Sequence, residues 1–267
     1  MARRPGLREG FARGCAVPPR GVHQWPDGQG GQVTSLVMPA WAEGEAYGVK
    51  VINMAAGNAA RGLPGLHASY LLFDAQTGVP RAVIDGDQLT LRRTAAASAL
   101  AASYLARPDA QELLVDAGAA PIVFEAVTDL AAAAAQADII SCATLATEPV
   151  VRGAWLRPGQ HLDLIGSFTP QMREADDDCF AGARLFVDVR EALVKSGELI
   201  GPMGRGVFTE QDVAADLQAL CRVESAGRLT PAERTVFKSV GTALEDLAAA
   251  CLVWQACGGT AATGAAP

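Results

Sequence analysis

The texture of the chain changes at Arg107-Pro108-Asp109, and that change constrains the fold more than any single motif does. Ahead of it lie short, β-branched runs bounded by turn residues: 33–38, 47–53, 68–74 and 80–85, with a glycine-rich tip at Asp27-Gly28-Gln29-Gly30-Gly31 and a short helix ending near Ala12. Such runs read as strands of an antiparallel sheet. Behind it, apolar runs at 113–115, 122–124, 138–141, 161–165 and 184–188 alternate with helical stretches at 129–136, 191–197, 209–220 and 230–254. Strands that alternate with helices form parallel sheets. The last helical stretch opens with Thr230-Pro231-Ala232-Glu233, which reads as an N-cap, a first-turn proline and an acid at the third position. The expected fold is therefore α/β. An antiparallel-sheet domain spans residues 1–108 and an abbreviated parallel-sheet domain spans 109–235.

Within the first part, the run Leu89-Thr90-Leu91-Arg92-Arg93-Thr94 precedes an alanine-rich helix expected from about Thr94 to Leu105. Arginines beside the unpaired N–H groups of a helix start make an anion site, which favours a small acid as ligand. The competing reading is two solvated charges at a strand end. Composition narrows the partner class. The net charge of −7, without clustered Lys and Arg beyond the N-terminal residues, excludes a nucleic-acid surface. No apolar run is long enough for a membrane span and none follows the basic N-terminus, so the expected compartment is the cytoplasm. Six scattered cysteines without CxxC spacing imply reduced thiols and no metal.

One stretch is too short for its class. Leu113-Leu114-Val115 reads as the first strand of a βαβ unit, yet Ile122 opens the next apolar run, and such a unit takes roughly 30 residues. The phosphate-cradling G-x-G-x-x-G pattern is reduced to Gly118. The segment reads as an α/β unit without its first crossover helix and the strand that would follow it.

The runs GVKVIN (48–53), GNAARGLPGLHASYLLFDAQTGVPRAVIDG (57–86), LTLRRTAAASALAASYLARPDA (89–110), ISCATLATEPVV (140–151), LDLIGSFTPQMREAD (162–176) and FKSVGTALEDLAAA (237–250) resemble the ornithine cyclodeaminase and mu-crystallin family, and within it the bacterial Δ1-pyrroline-2-carboxylate reductases. The resemblance implies a homodimer in which residues 1–108 are the substrate-binding and dimerisation domain, the helix over about 236–256 packs back on it, and residues 109–235 are an abbreviated Rossmann-like domain holding NADPH or NADH. It also implies reduction of a cyclic imino acid, Δ1-pyrroline-2-carboxylate or Δ1-piperideine-2-carboxylate, to L-proline or L-pipecolate. Carried over residue by residue, Arg20, Lys50 and Arg93 are the cations around the substrate carboxylate, with Lys50 and Arg93 the catalytic pair. Thr94, Gly118, Thr144, Thr147, Ser167, Ser239 and Gly241 are the cofactor positions. A buried lysine loses proton affinity, so Lys50 is also a candidate proton or hydrogen-bond donor to the imine nitrogen. Ser167 stands where cyclodeaminase members carry an acid/base aspartate, which favours reduction over ammonia loss. Asp246 is open between a structural and a functional role, and His67 reads as a packed or solvent-facing histidine. Two alternatives stay beside the reductase: a non-catalytic carboxylate binder without a nucleotide site, and an ornithine cyclodeaminase.

Overall fold

The structure is a computed structural model that describes residues 5–111, 113–115 and 125–259. In chain order its elements are α1 (Pro5–Arg13), β1 (Gly21–Pro26), β2 (Gln32–Ala42), β3 (Ala46–Ala55), β4 (Leu66–Asp74), β5 (Pro80–Asp85), α2 (Gly86–Leu105), β6 (Leu113–Val115) and α3 (Leu130–Gln136). There follow β7 (Ile139–Cys142), β8 (His161–Leu164), β9 (Arg184–Val187), α4 (Ala192–Lys195), α5 (Gly197–Gly204), β10 (Val213–Asp216), α6 (Leu217–Cys221), β11 (Thr235–Lys238) and α7 (Ala243–Ala256). They form two compact units, residues 1–97 with 242–267, and residues 98–241.

The first unit is a five-stranded antiparallel sheet in the order β1-β2-β3-β4-β5. The glycine-rich tip joins β1 to β2, with Gly28 and Gly30 at positive φ and the Asp27 carboxylate accepting from the Gln29 and Gly31 amides. Alternation sets one face inward: Met38 and Ala40 from β2, Ala46 and Ile52 from β3, and Tyr70 and Leu72 from β4 pack with Leu247 and Ala250 of α7. Helix α1 packs on α7 at close range, because a Cβ on Gly6 or Gly10 would meet Leu252 or Ala248.

Helix α2 begins at Gly86, well ahead of the expected Thr94. The Asp85 carboxylate accepts from the Asp87 and Gln88 amides and so caps the helix, while Gly86 fits against the backbone of Ala68 and Ser69, where a Cβ would clash. The capping signal sits before the two arginines, so Arg92 and Arg93 belong to the helix body and the anion site at a helix start is corrected.

The second unit is a six-stranded sheet in the order β10-β9-β11-β8-β7-β6, and every pairing in it is parallel. Its core gathers Ile140, Cys142, Leu162, Leu164, Leu185, Val187 and Val236. Two helical expectations are overturned here. Residues 213–216 form β10 on the sheet edge, with helix limited to α6, and residues 235–238 form β11 between β8 and β9. Every residue of β11 is buried, and a short apolar run covered on both faces has no alternation to separate it from a helix turn. The C-terminal helix accordingly starts at Ala243, capped by Thr242. The stretch expected as one helix over 191–197 is two, α4 and α5, divided at Ser196, whose hydroxyl caps α5. The expected strand at 122–124 and Gly118 lie outside the described residues.

Candidate active site

Lys50 stands mid-strand in β3, on the inward face, between Gly48 and Ile52. An ammonium there requires a counter-ion, because an isolated buried charge costs several kcal/mol or more. Helix α7 supplies it. The Lys50 Nζ lies 2.7 Å from Asp246 Oδ2 and 3.5 Å from Thr90 Oγ1. Arg93, reaching from α2, sets its Nη1 2.6 Å from Glu245 Oε2 and its Nε 3.0 Å from Asp246 Oδ1. Both acids occupy the first turn of α7, where the helix dipole also favours negative charge. Burial pulls the Lys50 pKa down, and the Asp246 carboxylate opposes that shift.

Arg20 directly precedes β1. The β1–β2 pairing runs to Gly21↔Val37 and Met38 pairs with Lys50, so Arg20 sits level with Lys50 two strands away, about 10 Å between backbones. It is half-buried. Tyr70 pairs with Lys50 from the other side, and its wholly buried hydroxyl finds no hydrogen-bond partner among the described residues. Thr94 follows Arg93 on α2 and is half-buried.

The fold thus joins two of the three expected cations in one ion-pair cluster and adds partners the sequence reading did not assign: Glu245, Thr90 and a definite role for Asp246. One signal was present. A lysine expected to lie buried needs an acid, and the adjacent pair Glu245-Asp246 stands in the apolar run LEDLAAA.

In the second unit, the expected cofactor positions Thr144, Thr147, Ser167, Ser239 and Gly241 all follow the carboxyl ends of β7, β8 or β11. Ligands of open parallel sheets lie at that edge. Most of the polar groups there are engaged internally. Thr144 Oγ1 donates to Glu174 Oε1 at 2.9 Å, and Gly166 N donates to Glu174 Oε2 at 2.7 Å. Ser167 Oγ, wholly buried, donates to the Met172 carbonyl at 2.6 Å and lies 2.8 Å from Ser196 Oγ. Ser239 Oγ and Gly241 N both donate to Asp188 Oδ2, at 2.9 and 2.7 Å. Thr147 is exposed, as are Leu145 and Phe168 on the loops after β7 and β8. The sequence reading missed these two apolar side chains, which give the edge a surface suited to a flat ring.

The buried Glu198 accepts from the Glu174 and Ala175 amides at 2.7 and 2.8 Å. Burial pushes its pKa up to about 7 and that of Asp163 to about 6. The thiols of Cys142 and Cys179 are pushed up by burial, which makes them inert. Among the described residues no group of three or more His, Cys, Asp or Glu could hold a metal ion, and no helix is long and apolar enough to cross a membrane.

Comparison with known proteins gives this geometry a lineage. The chain is 42% identical to the Δ(1)-pyrroline-2-carboxylate reductase of Paracoccus denitrificans, over 80% of each chain. It is 39% identical to an uncharacterised protein of Schizosaccharomyces pombe, over 93% of this chain and 91% of that one. That alignment spans 300 positions, more than the 267 residues here, so it opens gaps in this chain. Among solved structures, the Δ(1)-pyrroline-2-carboxylate reductase of Thermococcus litoralis, in complex with NADH and L-proline, is similar with a TM-score of 0.84 and 31% identity, covering 94% of this chain and 90% of that one. The family model matches in two pieces, residues 9–123 and 115–260, which overlap at 115–123. This chain belongs to the ornithine cyclodeaminase/mu-crystallin family.

Proposed function

We propose that the protein is an NAD(P)H-dependent reductase of cyclic imino acids, converting Δ1-pyrroline-2-carboxylate or Δ1-piperideine-2-carboxylate to L-proline or L-pipecolate, and working as a homodimer. The observation that carries this reading is the buried cluster in which Lys50 and Arg93 share Asp246, with Glu245 beside it. Lys50 and Arg93, with Arg20 from the neighbouring edge, orient the ring by its carboxylate. Asp246 fixes the Lys50 ammonium in place. When bound, NADH or NADPH supplies the hydride that adds two electrons to the imine carbon. The C=N bond becomes C–N, and the nitrogen ends with a proton. For a substrate that arrives unprotonated, Lys50 holds that proton at Nζ, and its lowered pKa makes the proton easier to transfer.

Thr144, Thr147, Ser167, Ser239 and Gly241, at the carboxyl edge of the parallel sheet, are the residues that would hold the nucleotide. The exposed Leu145 and Phe168 support this fit. Thr94, on α2 of the first unit, is a further proposed cofactor position, and Gly118 lies outside the described residues.

The test is direct. Purified protein mixed with Δ1-pyrroline-2-carboxylate and either nicotinamide cofactor is expected to oxidise the cofactor and form L-proline in equal amounts. Folded protein that turns over with neither cofactor overturns the reading.

A second reading has its own support. The family model matches this chain in two pieces that overlap at 115–123, and a relative's alignment opens gaps in this chain, which favours a carboxylate binder that has lost its nucleotide site. Calorimetry separates the two: L-proline binding without NADH or NADPH binding identifies the binder. Ornithine deamination has less support, since Ser167 is wholly buried with its hydroxyl engaged by Met172 and Ser196.

A further inference from the structure

Lys238 is a buried cation that the reaction above does not use. It ends β11, between Leu164 of β8 and Val187 of β9 in the parallel sheet. Its side chain is wholly buried, and its Nζ has no hydrogen-bond partner among the described residues. The charged groups whose fields act on it are four buried acids: Glu198 on α5, Glu174 and Asp188 in the segments after β8 and β9, and Asp163 on β8. Burial pulls its pKa down, and the acids, Glu198 foremost, oppose that shift.

Two of the acids fasten loops at the carboxyl edge of the sheet. Glu174 accepts from the Thr144 amide after β7 and the Gly166 amide after β8, both at 2.7 Å. Glu198 holds Glu174 in turn, because its Oε2 accepts from the Glu174 amide and its Oε1 from the Ala175 amide. Both oxygens accept only in the carboxylate form, since protonation makes one of them a donor. Burial works against that form, and the field of Lys238 works for it. Asp188 and Asp163 have other donors: Ser239 Oγ and the Val240 and Gly241 amides serve Asp188, and Ser141 Oγ serves Asp163. Resting on the reading of this edge as the nucleotide site, we propose that Lys238 is a positioning residue for the nucleotide: its field keeps Glu198 a carboxylate, and Glu198 holds the segment from which Glu174 fixes the loops after β7 and β8. Protonated Glu198 frees one of its two amides, and the loops loosen.

The test follows two readouts on the full chain from about pH 5.5 to about pH 9. Carbon-13 NMR of glutamate-labelled protein reads the Glu198 carboxyl directly, with Glu198→Gln assigning the signal, and NADH fluorescence reads affinity. Wild type is expected to show a carboxyl midpoint near pH 7. Its NADH affinity is expected to rise by about threefold to tenfold through the same midpoint, the scale of one weakened hydrogen bond. In Lys238→Met both midpoints are expected to move up by about one pH unit or more. Glu198→Gln is expected to hold affinity at the low-pH level throughout. A carboxyl midpoint unmoved in Lys238→Met, or an affinity transition that survives in Glu198→Gln, overturns the proposal. So does wild-type affinity that is flat, or that falls as the pH rises through repulsion of the anionic nucleotide, and this arm needs no variant to fold. NADH binding with any of these results sinks the Lys238 proposal alone; folded protein that binds neither NADH nor NADPH at any pH sinks the reductase reading, and the proposal with it.

Discussion

The ammonium of Lys50 and the carboxylate of Asp246 lie 2.7 Å apart with both side chains wholly buried, so Asp246 is the main compensation for the water that Lys50 has lost. Removing one partner strands the other. Asp246→Asn is expected to cost about 3–5 kcal/mol of stability by chemical denaturation. The double variant Lys50→Met/Asp246→Asn is expected to recover part of that loss, which a double-mutant cycle measures directly. An additive cycle would show that the two charges do not depend on each other.

Arg93 spans two acids, which a lysine cannot do. Its Nη1 meets Glu245 and its Nε meets Asp246, using the breadth of the guanidinium. Arg93→Lys is therefore expected to lower kcat/KM for the imino acid by about tenfold to a hundredfold, the kinetic equivalent of one or two kcal/mol or slightly more. Wild-type kcat/KM in this variant would remove Arg93 from the substrate's surroundings.

Stability is expected to depend on pH through Glu198. Burial raises its carboxyl from 4.5 to about 7 in the folded chain, so between these values the native state holds a proton that the unfolded state has released. Its stabilising contribution is complete below about pH 4.5 and is lost as the pH rises through 7. Glu198→Gln does not titrate. The Tm of wild type minus that of the variant should thus fall between pH 5 and pH 8, and a difference that grows over this range would contradict the assignment.

Gly48 and Tyr70 form a lock of shape. A Cβ at Gly48 would collide with the Tyr70 hydroxyl, so Gly48→Ala is expected to destabilise by about 1–3 kcal/mol through overpacking. Tyr70→Phe removes a buried hydroxyl that has no partner among the described residues, and is expected to be neutral or stabilising by about 1 kcal/mol. Thermal denaturation of the two single variants is the check.

Asp188 holds the turn that follows β11. Ser239 Oγ, Val240 N and Gly241 N all donate to Asp188 Oδ2, and the carboxylate is wholly buried. Asp188→Asn replaces one acceptor oxygen by a donor and is expected to raise KM for NADH or NADPH by about tenfold while L-proline affinity stays within about twofold of wild type. Equal losses for both ligands would show a general rather than a local effect.

Much of this architecture was legible in the residues. The strands of the first unit announce themselves by alternation and by turn signals such as Asp27-Gly28 and Thr77-Gly78, and Lys50 and Arg93 stood out as cations in apolar or alanine-rich company. The misreadings share a cause. β11 is buried on both faces, so its four residues lack the two-residue period that marks a half-exposed strand. The start of α2 was placed late because its cap, Asp85-Gly86, lies at the end of a strand and depends on a close fit against Ala68 and Ser69. Ser167, Ser239 and Gly241 follow the carboxyl ends of β8 and β11, and the commitments of Ser239 and Gly241 to Asp188 span a distance along the chain that local pattern does not register.

The amino-acid sequence by itself determined the two kinds of sheet, the turns that close the antiparallel one, and the placing of a lysine and an arginine in apolar or alanine-rich runs, since these follow from local sterics, periodicity and composition. Tertiary structure alone decided which acids answer those cations. Glu245 and Asp246 are far from Lys50 and Arg93 along the chain and meet them only because α7 packs across the inward face of the sheet. Electrostatic compensation of a buried charge acts through space, over a few ångströms, and chain order does not encode that distance.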